Sequence, residues 1–315
     1  MNGHMAGDNA TRDSFGFLFP GQGSQKRGMG REFYDSNETA RTVFDKAEAM
    51  LSDCSVKALC FEAEDEELTK TENAQPALFT VSFAIYQVLR GMGHVGTVFA
   101  GHSLGEYTAV VAAGYLSFED GLRLVRRRGI LMRDCDPERR GGMAAIIGLD
   151  PSSIGKICEE TGGVFPANFN SPSQVVISGL KDKVREAADK CAASGAKRTV
   201  ILNVGGAFHT EYLAEAAREM EIELGGVEWR EGRGEVASNA TGTVTGDPAV
   251  IRRNLVAQLV SPVLWTDSMR ALIDWGCTSF IEAGSAGVLK GLARSISREV
   301  RVVSIAKPDD IGELA

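Results

Sequence analysis

One short string, Gly101-His102-Ser103-Leu104-Gly105, constrains this chain more than any other. It separates an apolar run at 97–100 from an apolar, alanine-rich run at 107–113. The first run reads as a strand and the second as a helix. A chain that passes from strand to helix in so few residues must turn sharply. Its two glycines let backbone segments approach where a Cβ would collide. Ser103 then sits at a helix N-terminus, where free N–H groups and the helix dipole favour negative charge. Gly-x-Ser-x-Gly in this setting is the pattern of a nucleophile elbow. The competing reading is a Gly-Ser turn with Ser103 as a plain N-cap.

The flanking sequence alternates in the same way. Strands are expected at 15–19, 97–100, near Val236, at 278–281 and at 302–305. Helices are expected at 31–36, 38–51, 74–89, 118–132, 210–224, 248–259, 266–275 and 288–294. Alternating strands and helices favour a mostly parallel sheet, so this part reads as a larger α/β-hydrolase-like domain. Sites in such sheets lie at the carboxyl ends of the strands, where Gly21-Gln22-Gly23 and the elbow both fall. Between 143 and 202 the order changes to strand 143–148, helix 151–160, strands 163–167 and 174–178, helix 182–193 and strand 198–202. That βαββαβ order is the split arrangement of a ferredoxin-like domain. The expected organisation is a discontinuous larger domain at 14–135 and 207–307, an inserted small domain at 136–206, and a flexible tail at 1–13.

Composition removes several classes. The chain of 315 residues is 43% hydrophobic and 24% charged, enough apolar material for a full core. Its formal charge of −8 argues against nucleic acid as a partner. The six cysteines form no Cys-x-x-Cys pair and only four histidines are present, so neither a zinc site nor a disulfide framework is expected. The polar start has no signal-peptide core and no apolar run approaches membrane-spanning length; a cytoplasmic location without membrane association is expected.

A serine nucleophile needs a base, usually histidine near neutral pH. His4 lies in the polar tail, His94 in a glycine-rich turn, and His102 at a strand end with its side chain directed away from Ser103. His209 follows Gly205-Gly206-Ala207-Phe208 at a helix start and is the candidate base. No Asp or Glu stands out between Ser103 and His209 to complete a triad. A backbone or side-chain carbonyl can hold the second imidazole nitrogen instead.

Five ordered motifs then converge on one family. Residues 17–25 (Phe-Leu-Phe-Pro-Gly-Gln-Gly-Ser-Gln), 101–107 (Gly-His-Ser-Leu-Gly-Glu-Tyr), 168–179 (Asn-Phe-Asn-Ser-Pro-Ser-Gln-Val-Val-Ile-Ser-Gly), 206–209 (Gly-Ala-Phe-His) and 258–265 (Gln-Leu-Val-Ser-Pro-Val-Leu-Trp) resemble the malonyl-CoA:acyl carrier protein transacylases. The resemblance runs from Phe17 to about Ile305 and implies a role for each matching position. Ser103 would carry the acyl group and His209 would act as base and acid. Gln258 would hold the His209 N–H through its backbone carbonyl. The amides of Gln22 and Leu104 would form the oxyanion hole. Arg128, 25 residues after Ser103, would grip the malonyl carboxylate with paired charge-assisted bonds. Met132, Asn168 and Phe208 would line the substrate pocket.

Ala207-Phe208-His209 resembles the malonyl-selective form of this segment in polyketide acyltransferases, and a bulky Phe208 leaves little room for an α-methyl. Gly205, Gly206 and Glu211 depart from the family pattern and bear on fine substrate preference. The resemblance further implies malonyl-CoA and an acidic acyl carrier protein as partners, no metal or other cofactor, and a monomer. Arg126 and Arg127 read as a solvated helix face or as docking residues. Arg123, Lys181, Lys183, Lys197 and Arg198 complete the candidate docking set. Three alternatives remain beside malonyl transfer for fatty-acid synthesis: a serine hydrolase or thioesterase with the same elbow, a trans-acting polyketide acyltransferase, and a non-catalytic carrier-binding subunit.

Overall fold

The computed structural model describes residues 15–136, 138–285 and 287–314; the expected tail at 1–13 lies outside them. Among the described residues, ten strands form two sheets. In chain order they are β1 (Phe15–Phe19), β2 (Gly96–Gly101), β3 (Gly141–Ile147), β4 (Val164–Ser171), β5 (Gln174–Leu180), β6 (Arg198–Leu202), β7 (Glu235–Ala237), β8 (Val244–Thr245), β9 (Ser279–Ala283) and β10 (Arg301–Ile305). The larger sheet has the order β10-β9-β1-β2-β7-β8 and is parallel except for the final β7–β8 pair. Its central strands are near-continuous apolar runs because helices cover both faces. Phe17 of β1 packs edge-on to Tyr86 with ring centroids 5.0 Å apart. Tyr86 belongs to the helix Thr71–Gly91, almost wholly buried along its length.

The smaller sheet is antiparallel, has the order β4-β5-β3-β6, and is drawn entirely from chain between β2 and β7. Helices Pro151–Thr161 and Lys181–Ala193 pack on it around Ile146, Ile177 and Ala187. The smaller sheet is tied to the segment before the helix Trp265–Asp274, where Phe169 N–H donates to the Val263 carbonyl and Val263 N–H to the Ala167 carbonyl, at 2.9 and 2.8 Å. Asn170 of β4 meets His102, the residue after β2, at 2.8 Å. One cleft is lined by residues 21–24 and 102–104, which follow β1 and β2, and by Met143, Asn168, Val176 and Leu202 of the smaller sheet.

Most elements lie within a few residues of their expected bounds. The helix expected from 210 begins instead as a 3-10 turn, Glu211–Leu213, because Leu213 N–H reaches back only to the Thr210 carbonyl; the α-helix proper is Ala214–Gly225. The strand β8 and the helices Val56–Phe61 and Asp65–Leu68 are not in the sequence expectation, being too short to set up a period. Among the described residues, no helix is long and apolar enough to cross a membrane.

Candidate active site

The string Gly101–Gly105 forms the sharp turn between β2 and the helix Leu104–Ala112. Ser103 is held at φ 53°, ψ −107°, a conformation that costs a non-glycine residue of order 1–3 kcal/mol. Close approach explains both glycines: a Cβ on Gly101 would fall on the Gly105 carbonyl, and one on Gly105 would fall on the Phe19 carbonyl of β1. Ser103 occupies the N-cap position but makes no side-chain cap bond, so the plain N-cap reading does not hold.

The hydroxyl has other partners. Ser103 Oγ lies 2.8 Å from His209 Nε2 and accepts from Arg128 Nη2 at 3.1 Å. His209 Nδ1 is 2.9 Å from the backbone carbonyl of Gln258. A carbonyl only accepts, so the proton sits on Nδ1 and Nε2 is left free to receive the serine proton. Burial, the Arg128 charge and His102 push the His209 pKa down to about 3, against the opposing pull of the Gln258 carbonyl. A lowered histidine pKa keeps the ring neutral at all higher pH. Acylation of Ser103 is therefore expected to show no histidine limb as pH falls from 6.5 through 5. A single-turnover pH profile whose inflection near 6.5 persists in Glu106→Gln, which removes the neighbouring carboxyl pushed up to about 7, would show an ordinary, solvated imidazole instead.

Arg128 projects from the helix Phe118–Asp134 and is 1% exposed. Its Nη1 donates to Gln75 Oε1 at 2.8 Å and its Nη2 to Gln258 Oε1 at 2.9 Å. The Tyr107 ring centroid is 5.5 Å from its guanidinium carbon. Among the described residues it makes no ion pair, and its Nε is buried with no hydrogen-bond partner. A buried guanidinium held only by neutral acceptors retains an unmet demand for an anion.

These groups border a cleft of about 530 Å³. Met132, Asn168 and Phe208 lie on its wall with Gln22, Ser103, Leu104, Arg128 and His209, whereas Gln258 is fully buried behind the histidine. Among the described residues, neither the Gln22 nor the Leu104 backbone N–H meets a protein acceptor. The Gln22 side chain is pinned to Thr69 and Thr71, which fixes its loop. Asn168 Oδ1 is buried and unpartnered. His102 Nε2 meets Asn170 Oδ1 at 2.8 Å, not Ser103. Gly206, one of the departures from the family pattern, lies under the Phe208 ring; a Cβ there would come within 2.7 Å of Phe208 Cε1. Among the described residues no cluster of His, Cys, Asp and Glu is placed to hold a metal.

Three polar side chains at this site were not among the expected functional residues. Glu106, 1% exposed, accepts from Gln258 Nε2 at 2.7 Å and from Asn239 N–H at 3.1 Å. Asn239 Oδ1 in turn accepts the Ser103 N–H at 2.6 Å. Burial pushes the Glu106 carboxyl up to about 7, against those two donors and Arg128. Gln75 is the third. Glu106 could have been noticed from its place three residues after the nucleophile; Gln75 and Asn239 carry no local signal.

The solvated-face reading of Arg126 is corrected. Arg126 reaches inward to Asp53 Oδ2 at 2.7 Å and to the Glu72 carbonyl, leaving its side chain 12% exposed. Arg127 stays more exposed, at 39% of its side chain, and pairs with Glu219 and Glu223 of the neighbouring helix. Both staple helices together. Arg123 and Lys183 are likewise paired, with Asp120 and Glu186, whereas Lys181, Lys197 and Arg198 have no acidic partner among the described residues.

Comparison with known proteins places this geometry. The acyl transferase domain family matches residues 16–307. A malonyl CoA-acyl carrier protein transacylase of Bacillus subtilis is 42% identical over 303 residues, covering 95% of each chain. One from Staphylococcus aureus is 39% identical over 298 residues, 93% of this chain and 96% of that protein. A crystal structure of malonyl-CoA:acyl carrier protein transacylase from Xanthomonas oryzae pv. oryzae superimposes with a TM-score of 0.92 at 37% identity, covering 96% of this chain and 98% of that one. A type II PKS acyl-carrier protein in complex with its malonyl-transacylase gives 0.91, also at 37%, covering 95% and 97%.

Proposed function

Because this chain belongs to the malonyl-CoA–acyl carrier protein transacylases of the acyl transferase family, we infer that it transfers malonyl from malonyl-CoA to the thiol of an acyl carrier protein. The observation that carries the substrate choice is Arg128, buried, without an ion pair among the described residues, and in contact with the nucleophile itself. A malonyl thioester brings the missing anion; an acetyl or fatty-acyl thioester leaves the guanidinium unpaired.

We propose a two-step course. With the malonyl carboxylate on Arg128, Ser103 Oγ attacks the thioester carbonyl while His209 Nε2 takes the hydroxyl proton. The oxyanion is met by the Gln22 and Leu104 amides, each such donor worth about 3–4 kcal/mol in the transition state. Collapse expels the CoA thiolate, which takes the proton from His209, and a malonyl-serine ester remains. The carrier's phosphopantetheine thiol then gives its proton to His209 Nε2 and attacks the ester. Ser103 leaves with that proton and the malonyl group resides on the carrier. Nucleophile, base and oxyanion donors all come from this chain, so the course calls for no metal or redox group. Gln258 supplies the histidine's orientation, as the 2.9 Å contact supports.

The small sheet and its two helices support reading 136–206 as the inserted ferredoxin-like domain, with 14–135 and 207–307 forming the larger one. A monomer in the cytoplasm remains our reading; six free cysteines fit a reducing compartment. Supply of malonyl for fatty-acid synthesis is the role we assign. Loading of a polyketide carrier is the second reading, favoured by the equal 37% identity to the transacylase seen with a polyketide carrier. Transfer rates to both carrier types separate them. Mass spectrometry after mixing with malonyl-CoA is expected to find malonyl on Ser103. Rapid release of malonate with no adduct and no transfer would instead indicate a hydrolase, and an inert mixture a carrier-binding subunit.

A further inference from the structure

We propose that Glu106 is a positioning residue for substrate selection: it fixes which way the Gln258 amide faces and thereby aims Arg128. The inference rests on the malonyl-transfer reading above. Gln258 Oε1 faces the guanidinium at 2.9 Å, and Gln258 Nε2 faces Glu106 Oε2 at 2.7 Å and the Ser103 carbonyl at 2.9 Å. A side-chain amide has nearly the same shape when its oxygen and nitrogen change places. Here the exchanged form would set NH2 against guanidinium, and oxygen against the Ser103 carbonyl and Glu106. Glu106 enforces this polarity because its Oε2 is held as an acceptor by the Asn239 backbone N–H, which can only donate, so the Gln258 atom facing that oxygen must be Nε2. With Gln258 so fixed, Arg128 is held between Gln75 Oε1 and Gln258 Oε1, aimed at Ser103 Oγ.

The same carboxylate oxygen also accepts the Asn239 N–H at 3.1 Å. Asn239 spans the elbow, taking the Ser103 N–H on Oδ1 and donating Nδ2 to the Gly101 carbonyl at 2.8 Å. One oxygen of Glu106 thus braces the nucleophile turn and the carboxylate-binding arginine together. A carboxylate buried to 1% exposure without an ion pair among the described residues is costly as mere filling. Its position between two functional groups gives the cost a reason.

Two substitutions separate reach from charge. Glu106→Gln keeps an oxygen before the two donors, Gln258 Nε2 and Asn239 N–H, and removes the charge. Glu106→Asp keeps the charge but withdraws the oxygen by about 1.5 Å, beyond hydrogen-bond range of Gln258. Acylation of Ser103 by malonyl-CoA and by acetyl-CoA is measured per folded protein, using circular dichroism to count the folded fraction. The Asp variant is expected to lose at least about tenfold in the malonyl-to-acetyl rate ratio, and the Gln variant to stay within about threefold of the parent. A merely structural role would lower both rates together and leave the ratio alone. An Asp variant that falls by less than about tenfold, or a Gln variant that falls as far as Asp, overturns the proposal. A parent enzyme that shows no preference for malonyl would instead overturn the malonyl-transfer reading beneath it.

Discussion

Arg128→Ala is expected to cut acylation by malonyl-CoA roughly 30-fold to several thousand-fold, the equivalent of the about 2–5 kcal/mol lost when one partner of a buried charge pair is truncated. Acetyl-CoA should be handled as well as before or better, because the buried charge that penalised it is gone. The asymmetry is the test. Arg128 packs against Tyr107 and holds Gln75 and Gln258, so a general loosening of the site would lower both substrates alike. Stopped-flow acylation with the two thioesters reads the ratio directly. Undiminished malonyl transfer would remove Arg128 from substrate recognition. Lysine is not an adequate replacement, since it offers a point charge where the site is built for a planar fork.

His209→Ala is expected to lower both half-reactions by about 10²–10⁴-fold while leaving malonyl-CoA affinity nearly unchanged. The base contacts Ser103 Oγ at 2.8 Å; the carboxylate subsite is Arg128. Binding and chemistry therefore separate on different side chains, and a rise in Kd matching the fall in rate would show that they do not. Gln258 offers a sharper comparison. Its orienting contact with His209 is through a backbone carbonyl, so Gln258→Ala leaves that contact in place and removes the amide that faces Arg128 and Glu106. Gln258→Ala should accordingly erode malonyl preference more than it erodes general acyl transfer.

The elements and their order were legible because they rest on local pattern. The apolar runs of β1, β2 and β9 and the sharp Gly101–Gly105 turn state their geometry in consecutive residues. Ser103, His209, Gln258 and Arg128 were also nameable, through ordered motifs along the chain, and the structure brings the four together at hydrogen-bond distance. Arg126 was misread because a run of three arginines on one helix looks the same whether its neighbours are water or acids. Only the packed fold sets Asp53, in the turn after the helix Glu38–Met50, and the Glu72 carbonyl against it.

Sequence alone determined the strand–turn–helix around Ser103, since the turn is local and glycine is required where Gly105 meets β1 and Gly101 meets Gly105. Tertiary structure decided the rest of the site. Gln75, Asn239 and Gln258 come from separate helices and loops, and their contacts with Arg128, Ser103 and Glu106 span 53 to 155 residues of chain. Hydrogen bonds of that span leave no periodicity to read. They exist because the sheet brings the carboxyl ends of its strands together, where a buried donor left without an acceptor would cost more than the order needed to pair it.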